Sequence, residues 1–148
     1  MGKPTLKIGG RELPVYYSTY ELIAIEKQLG CTGFQIKDQV MGIRQTDEED
    51  PSSIVFDVVD DPVRQEKLGV LITILCNAGL EMEGKKPDVT AKWVLRHMKP
   101  GLVLFYAMGV MTVIQEGNDM TAQEEEKENE GPVDVLLEEE NAKKQQGG

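Results

Sequence analysis

Apolar and polar residues alternate at the start of the chain and then change to a helical spacing. Thr5-Leu-Lys-Ile8 reads as a short strand, Gly9-Gly10 as a hairpin turn, and Leu13-Pro-Val-Tyr-Tyr17 as the returning strand. Pro14 lacks a ladder donor, which places that strand at an edge. Ser18-Thr-Tyr-Glu21 matches a capping box, in which the serine hydroxyl accepts an early backbone N–H and the glutamate reaches back. Leu22, Ile25 and Leu29 then repeat at i, i+3 and i+7, and Gly30 is suited to the left-handed conformation that ends a helix.

The pattern weakens between Cys31 and Pro51. Phe34, Ile36, Val40 and Ile43 fit a short helix or an irregular packed segment, and Asp47-Glu-Glu-Asp-Pro51 reads as a loop. Ile54–Val59 has the β-branched content of a strand but equally fits the start of a helix. Asp61-Pro62 marks a helix start, with an acid at the N-cap and proline at the first helical position. That helix is expected to run through Leu68, Leu71, Ile72 and Leu75 to Ala78 and to stop at Gly79. Asp88 is the expected cap of a helix carrying Val89, Trp93, Val94 and Met98, and Pro100-Gly101 breaks it. The last helix, Leu102–Gln115, is apolar nearly all round. Such a helix is either wrapped by its own domain or buried against another chain, and wrapping is favoured. The expected fold is α+β, mostly α: an N-terminal β-hairpin on a bundle of four or five helices.

Charge divides the chain. The 148 residues carry 16 Lys plus Arg against 26 Asp plus Glu, a net charge of −10. Residues 121–148 hold nine acids and three bases, a net of −6, and only one apolar cluster, around Val133, Val135, Leu136 and Leu137. A segment so poor in apolar surface cannot offset its ordering entropy, so a globular domain over 1–117 and a mostly disordered acidic tail over 118–148 are expected. The acidity argues against gripping a nucleic-acid backbone and against an anionic membrane surface. The apolar runs 68–80 and 101–114 fall short of the ~20 residues that cross a bilayer. No leader pattern opens the chain, so export is not expected.

Chemistry-bearing motifs are sparse. Cys31 and Cys76 are too few for a disulfide framework or a zinc site, and Cys76 lies in an apolar run that suits a buried thiol. A reducing cytoplasm is the simplest compartment. Gly79-Leu-Glu-Met-Glu-Gly-Lys-Lys86 fits a phosphate-binding loop except at its last position, where Lys86 replaces the Ser or Thr that ligates magnesium. Glu81 and Glu83 would oppose a triphosphate, so a helix end followed by a solvated turn is the better reading. His97 is the single histidine and has no neighbouring ligand pattern. The acids at 47–50 lack the glycine and terminal glutamate of a calcium hand. No catalytic residue, cofactor or metal is expected. Apolar helices with 7 methionines suit an adaptable protein-binding surface, although core packing accounts for the methionines as well.

The stretches Thr5-Leu-Lys-Ile-Gly-Gly-Arg-Glu-Leu13 and Tyr20-Glu-Leu-Ile-Ala-Ile-Glu-Lys-Gln-Leu-Gly30 resemble the opening of tail assembly chaperones from long, non-contractile-tailed bacteriophages and related prophages. The apolar helix ending in Ala78-Gly-Leu80, the Val89-Thr90 turn before a helix and the acidic C-terminus continue the likeness, which covers roughly residues 4–117. The resemblance implies a non-enzymatic chaperone in the cytoplasm of a bacterial host. Such a chaperone binds and solubilises the long helical tape measure protein, helps tail tube protein polymerise around it, and is absent from the mature virion. Phe105, Tyr106, Met108 and Met111 are the candidate client-facing residues, with core packing as the alternative. Val135, Leu136 and Leu137 are a candidate docking segment. Self-association into a homo-oligomer is left open. The family often makes a longer product by programmed frameshifting, and Lys143-Lys144 would suit an A-rich slippery site. A minor tail or connector component, or an acidic decoy of a nucleic-acid-binding protein, are the competing functions.

Overall fold

A computed structural model describes residues 4–120. The fold is α+β and mostly α, with two small antiparallel hairpins set against helices. In the first hairpin β1 (Thr5–Ile8) pairs with β2 (Arg11–Pro14), Ile8 opposite Arg11 and Thr5 opposite Pro14. The Gly9-Gly10 turn is where the sequence puts it, and both glycines have positive φ, as a two-residue hairpin loop requires. The second strand starts earlier than expected and ends at Pro14. Val15 still donates to the Pro4 carbonyl, at 3.1 Å, but Tyr16 leaves the hairpin and donates to the Leu75 carbonyl instead, also at 3.1 Å.

Helix α1 (Thr19–Leu29) follows its sequence signals closely. The Ser18 hydroxyl accepts from the Tyr20 N–H at 3.2 Å, and a Glu21 carboxylate oxygen accepts from the Ser18 N–H at 2.9 Å. Gly30 closes the helix in the left-handed conformation. Beyond it comes a 3₁₀ turn at Gly33–Gln35, then a π-helical turn at Lys37–Met41 that buries Val40 and Met41.

A second hairpin follows, which the sequence pattern did not announce. Strand β3 (Ile43–Gln45) pairs with β4 (Ile54–Phe56), Ile43 opposite Phe56. Its strands are three residues each and their connection is long, so neither alternation nor a two-residue turn betrays it. The loop instead holds itself by polar contacts. The Gln45 side-chain amide donates to the carbonyls of Asp47 and Asp50, and the Ser53 hydroxyl donates to the Asp50 carbonyl. The Ile54–Val59 stretch therefore splits: strand to Phe56, then a 3₁₀ turn over Asp57–Asp60 that buries Val58.

Helix α2 (Pro62–Met82) is the axis of the domain. Asp61 caps it, its carboxylate accepting from the N–H groups of Val63 and Arg64. Its buried residues include Leu68, Leu71, Ile72, Ile74, Leu75 and Cys76, which are spread around the helix rather than along one stripe. The helix passes the expected stop at Gly79 by a further turn. Gly79 is there because β2 crosses the helix at that point: a Cβ on residue 79 would overlap the Pro14 carbonyl. The residue is a contact glycine, not a terminator, and the left-handed glycine lies at Gly84.

Asn77 fixes the segment that leaves α2. Its side-chain amide donates to the Val89 carbonyl and its carbonyl accepts from the Val89 N–H, both at 2.9 Å. Helix α3 (Ala91–His97) is capped by Thr90, whose hydroxyl accepts from the Trp93 N–H at 3.1 Å. The expected cap, Asp88, instead pairs with Arg11 at 3.4 Å. A 3₁₀ turn at Pro100–Leu102 leads into α4 (Val103–Asn118). Asn118 ends that helix by joining two distant loops: its side-chain carbonyl accepts from the Tyr17 hydroxyl at 2.8 Å, and its amide donates to the Gly33 carbonyl at 3.1 Å. Among the described residues no single helix is long and apolar enough to cross a membrane.

Candidate functional site

Helix α4 divides lengthwise. Val103, Tyr106, Ala107, Val110, Met111 and Ile114 face the core, the i, i+3, i+4, i+7 rows of one helical face. The Tyr106 hydroxyl donates to the Lys7 carbonyl at 2.9 Å and so ties α4 to the outer edge of β1. On the opposite side of the first two turns, Leu104, Phe105 and Met108 are 41%, 64% and 53% exposed. The expectation that the domain wraps this helix is therefore corrected: the helix that is wrapped is α2. The four candidate residues on α4 separate by the same periodicity. Phe105 and Met108 face outward, whereas Tyr106 and Met111 are core residues and unavailable to a partner. Val135, Leu136 and Leu137 lie outside the described residues.

The outward stripe borders a groove of about 540 Å³. Leu104 and Met108 form one wall; Ile54, Val55, Phe56 and Val59, from β4 and the turn after it, form the other. Ile54 and Val59 are 44% and 43% exposed, so both walls present large apolar side chains to solvent. The sequence had offered Ile54–Val59 only as a secondary-structure element. Leu104 falls within the apolar run Leu102–Gln115 and is not among the candidate residues. The pairing of these two stretches depends on where the second hairpin lies, and no local signal carries it.

The rim is charged. Arg44 Nε donates to both carboxylate oxygens of Asp57 at 3.0 Å. That hydrogen bond holds Asp57 below the usual carboxylate range, and the opposite charge acts in the same direction. Asp60 lines the groove beside this pair. From Ile43 to Asp61 the chain carries seven acids and one base, a net of −6.

A second depression, of about 440 Å³, lies where β2, α2 and α4 meet, lined by Pro14, Tyr16, Met82, Val113 and Glu116 among others. Two of its large apolar side chains, Tyr16 and Met82, stand well out into solvent, against four at the α4 groove.

The groups most often recruited for chemistry are dispersed. Cys31 and Cys76 are both buried free thiols, and burial pushes Cys76 up to about 12, far from a reactive thiolate. His97 is exposed, with Nδ1 2.9 Å from the Trp93 carbonyl and its ring tilted against the Trp93 ring, the centroids 4.6 Å apart. The stretch resembling a phosphate loop is helical through Met82, so its backbone N–H groups cannot converge on an anion. Among the described residues no three His, Cys, Asp or Glu side chains are grouped to hold a metal ion. What the α4 groove offers is exposed apolar surface. The chain matches no family model, no curated protein and no solved structure.

Proposed function

We propose that this chain is a non-catalytic tail assembly chaperone of long, non-contractile-tailed bacteriophages or prophages. It binds the tape measure protein, keeps it soluble and hands it to polymerising tail tube protein in the bacterial cytoplasm. The sequence resemblance supplies the family. The observation that carries the reading is the outward apolar face of α4 beside the equally apolar edge of the second hairpin. A long helical client exposes apolar stripes that aggregate unless covered, and a groove between a helix and a hairpin covers one. The net charge of −10 keeps such a complex dispersed.

Co-expression with the tape measure protein tests the reading. The client moves from the pellet to the soluble fraction and co-purifies with the chain at moderate salt, while purified virions lack the chain. A client that stays insoluble and fails to co-purify refutes the chaperone role. Stoichiometric retention of the chain in virions assigns it to the tail or connector instead.

A further inference from the structure

The charge around the α4 groove has a direction. Its walls are largely apolar, and of the three charged residues that line it Arg44 and Asp57 neutralise each other, which leaves Asp60 as the uncompensated charge. The loop between β3 and β4, which runs directly into Ile54 of the groove wall, carries Asp47, Glu48, Glu49 and Asp50. Asp47 and Asp50 are turned inward on the loop, accepting from the Glu49 N–H and the Ser52 N–H. Glu48 and Glu49 are exposed, and no partner among the described residues holds their carboxylates. A helical ligand that buries its apolar face between Leu104, Met108, Ile54 and Val59 meets Asp60 in the groove, and where it extends past Ile54 it approaches the acidic loop. Flanking carboxylates would meet like charge in partly desolvated surroundings, whereas flanking ammonium or guanidinium groups would be attracted.

We infer that the groove between α4 and the second hairpin is the client address, and that it selects a cationic amphipathic helix. The selected helix has an apolar stripe at i, i+3, i+4 and i+7 flanked by Lys or Arg. This deepens the chaperone reading and rests on it for the identity of the client. It adds the place of binding and the charge of the segment bound. Apolar burial supplies affinity, and the acidic hairpin supplies selectivity and speed of encounter, so the selectivity fades with salt.

The test uses the full chain and two synthetic helical peptides with the same leucine stripe, one flanked by lysines and one by glutamates. Titration at low salt should show the lysine-flanked peptide binding on the order of tenfold tighter, with the difference shrinking in 0.5 M salt. The double variant Leu104→Ser/Met108→Ser alters exposed side chains, so its circular dichroism and melting should stay close to the parent's. It should lose on the order of tenfold in affinity for the lysine-flanked peptide. Glu48→Lys/Glu49→Lys should narrow the gap between the two peptides without abolishing binding. Equal affinity for both peptides, or undiminished binding by the folded Leu104→Ser/Met108→Ser variant, overturns the inference. So does a concentration-dependent dimer that this variant abolishes, because a second copy then occupies the groove. The two proposals fail separately. Soluble tape measure protein with an inert groove variant removes the address and keeps the chaperone. A selective groove with an insoluble client removes the chaperone and keeps the peptide site.

Discussion

The two hairpins are built from the same motif and serve opposite ends. The first is short, closed by two glycines and driven into the core: Leu6, Ile8 and Leu13 are buried, the Pro14 backbone packs on Gly79 of α2, and the Lys7 carbonyl is tied to α4 through Tyr106. The second is closed by a long acidic loop, and its apolar residues are only half covered. The first hairpin gains its stability from neighbours on both sides. The second has α4 along one flank and leaves a groove there. A hairpin of two strands is marginal alone, so each depends on what packs against it. The difference in covering is the difference between a structural element and an available surface.

The sharpest way to break this contrast is Gly79→Ala. In an open helix the change would stabilise by about 1 kcal/mol. Here the added Cβ meets the Pro14 carbonyl, so β2 must move off α2, and a loss of about 3 kcal/mol is expected in urea unfolding. A rise in stability would show that the first hairpin is not seated as described.

Comparable in size is a matched pair. Ile8→Ala empties a fully buried site and should cost about 2–5 kcal/mol. Ile54→Ala removes a 44% exposed side chain and should cost under about 1 kcal/mol. Equal losses would mean that the second hairpin is as structural as the first.

Tyr106→Phe is smaller again. It removes the donor to the Lys7 carbonyl and should cost about 1 kcal/mol, with the largest amide shift changes along β1.

The smallest effect belongs to the Arg44–Asp57 pair. Asp57 has a lowered pKa in the folded chain, so the contribution of its carboxylate is complete above the ordinary value of about 3.9 and is lost as pH falls through the lowered one. Amide shifts of β3 and β4 should therefore move below about pH 4. In Asp57→Asn that acid transition should be missing from both strands.

Much of the fold is legible locally. The Gly9-Gly10 turn, the Ser18–Glu21 box, Gly30 and Asp61-Pro62 all act within a few residues of themselves, and each is found where the pattern puts it. Readings failed where a residue's partner is remote in sequence. Gly79 looks like a stop because a glycine near a helix end usually is one; its reason is Pro14, on another element. Asp88 has the chemistry of a cap, but Arg11 engages it and Thr90, two residues on, caps the helix. Of the α4 candidates, periodicity explains why Phe105 and Met108 part from Tyr106 and Met111. Which of the two faces turns outward depends on β1 and on the 57–60 turn.

The sequence by itself determined the mostly helical class, the first hairpin, the caps of α1 and α2, and the uneven charge, because these arise from short-range backbone chemistry and from composition. Only the tertiary structure decided that α2 rather than α4 is the enclosed helix, and that Ile54 and Val59 meet Leu104 and Met108 in one groove. Burial is set by the sum of distant neighbours, and an apolar side chain carries no mark of whether those neighbours will arrive.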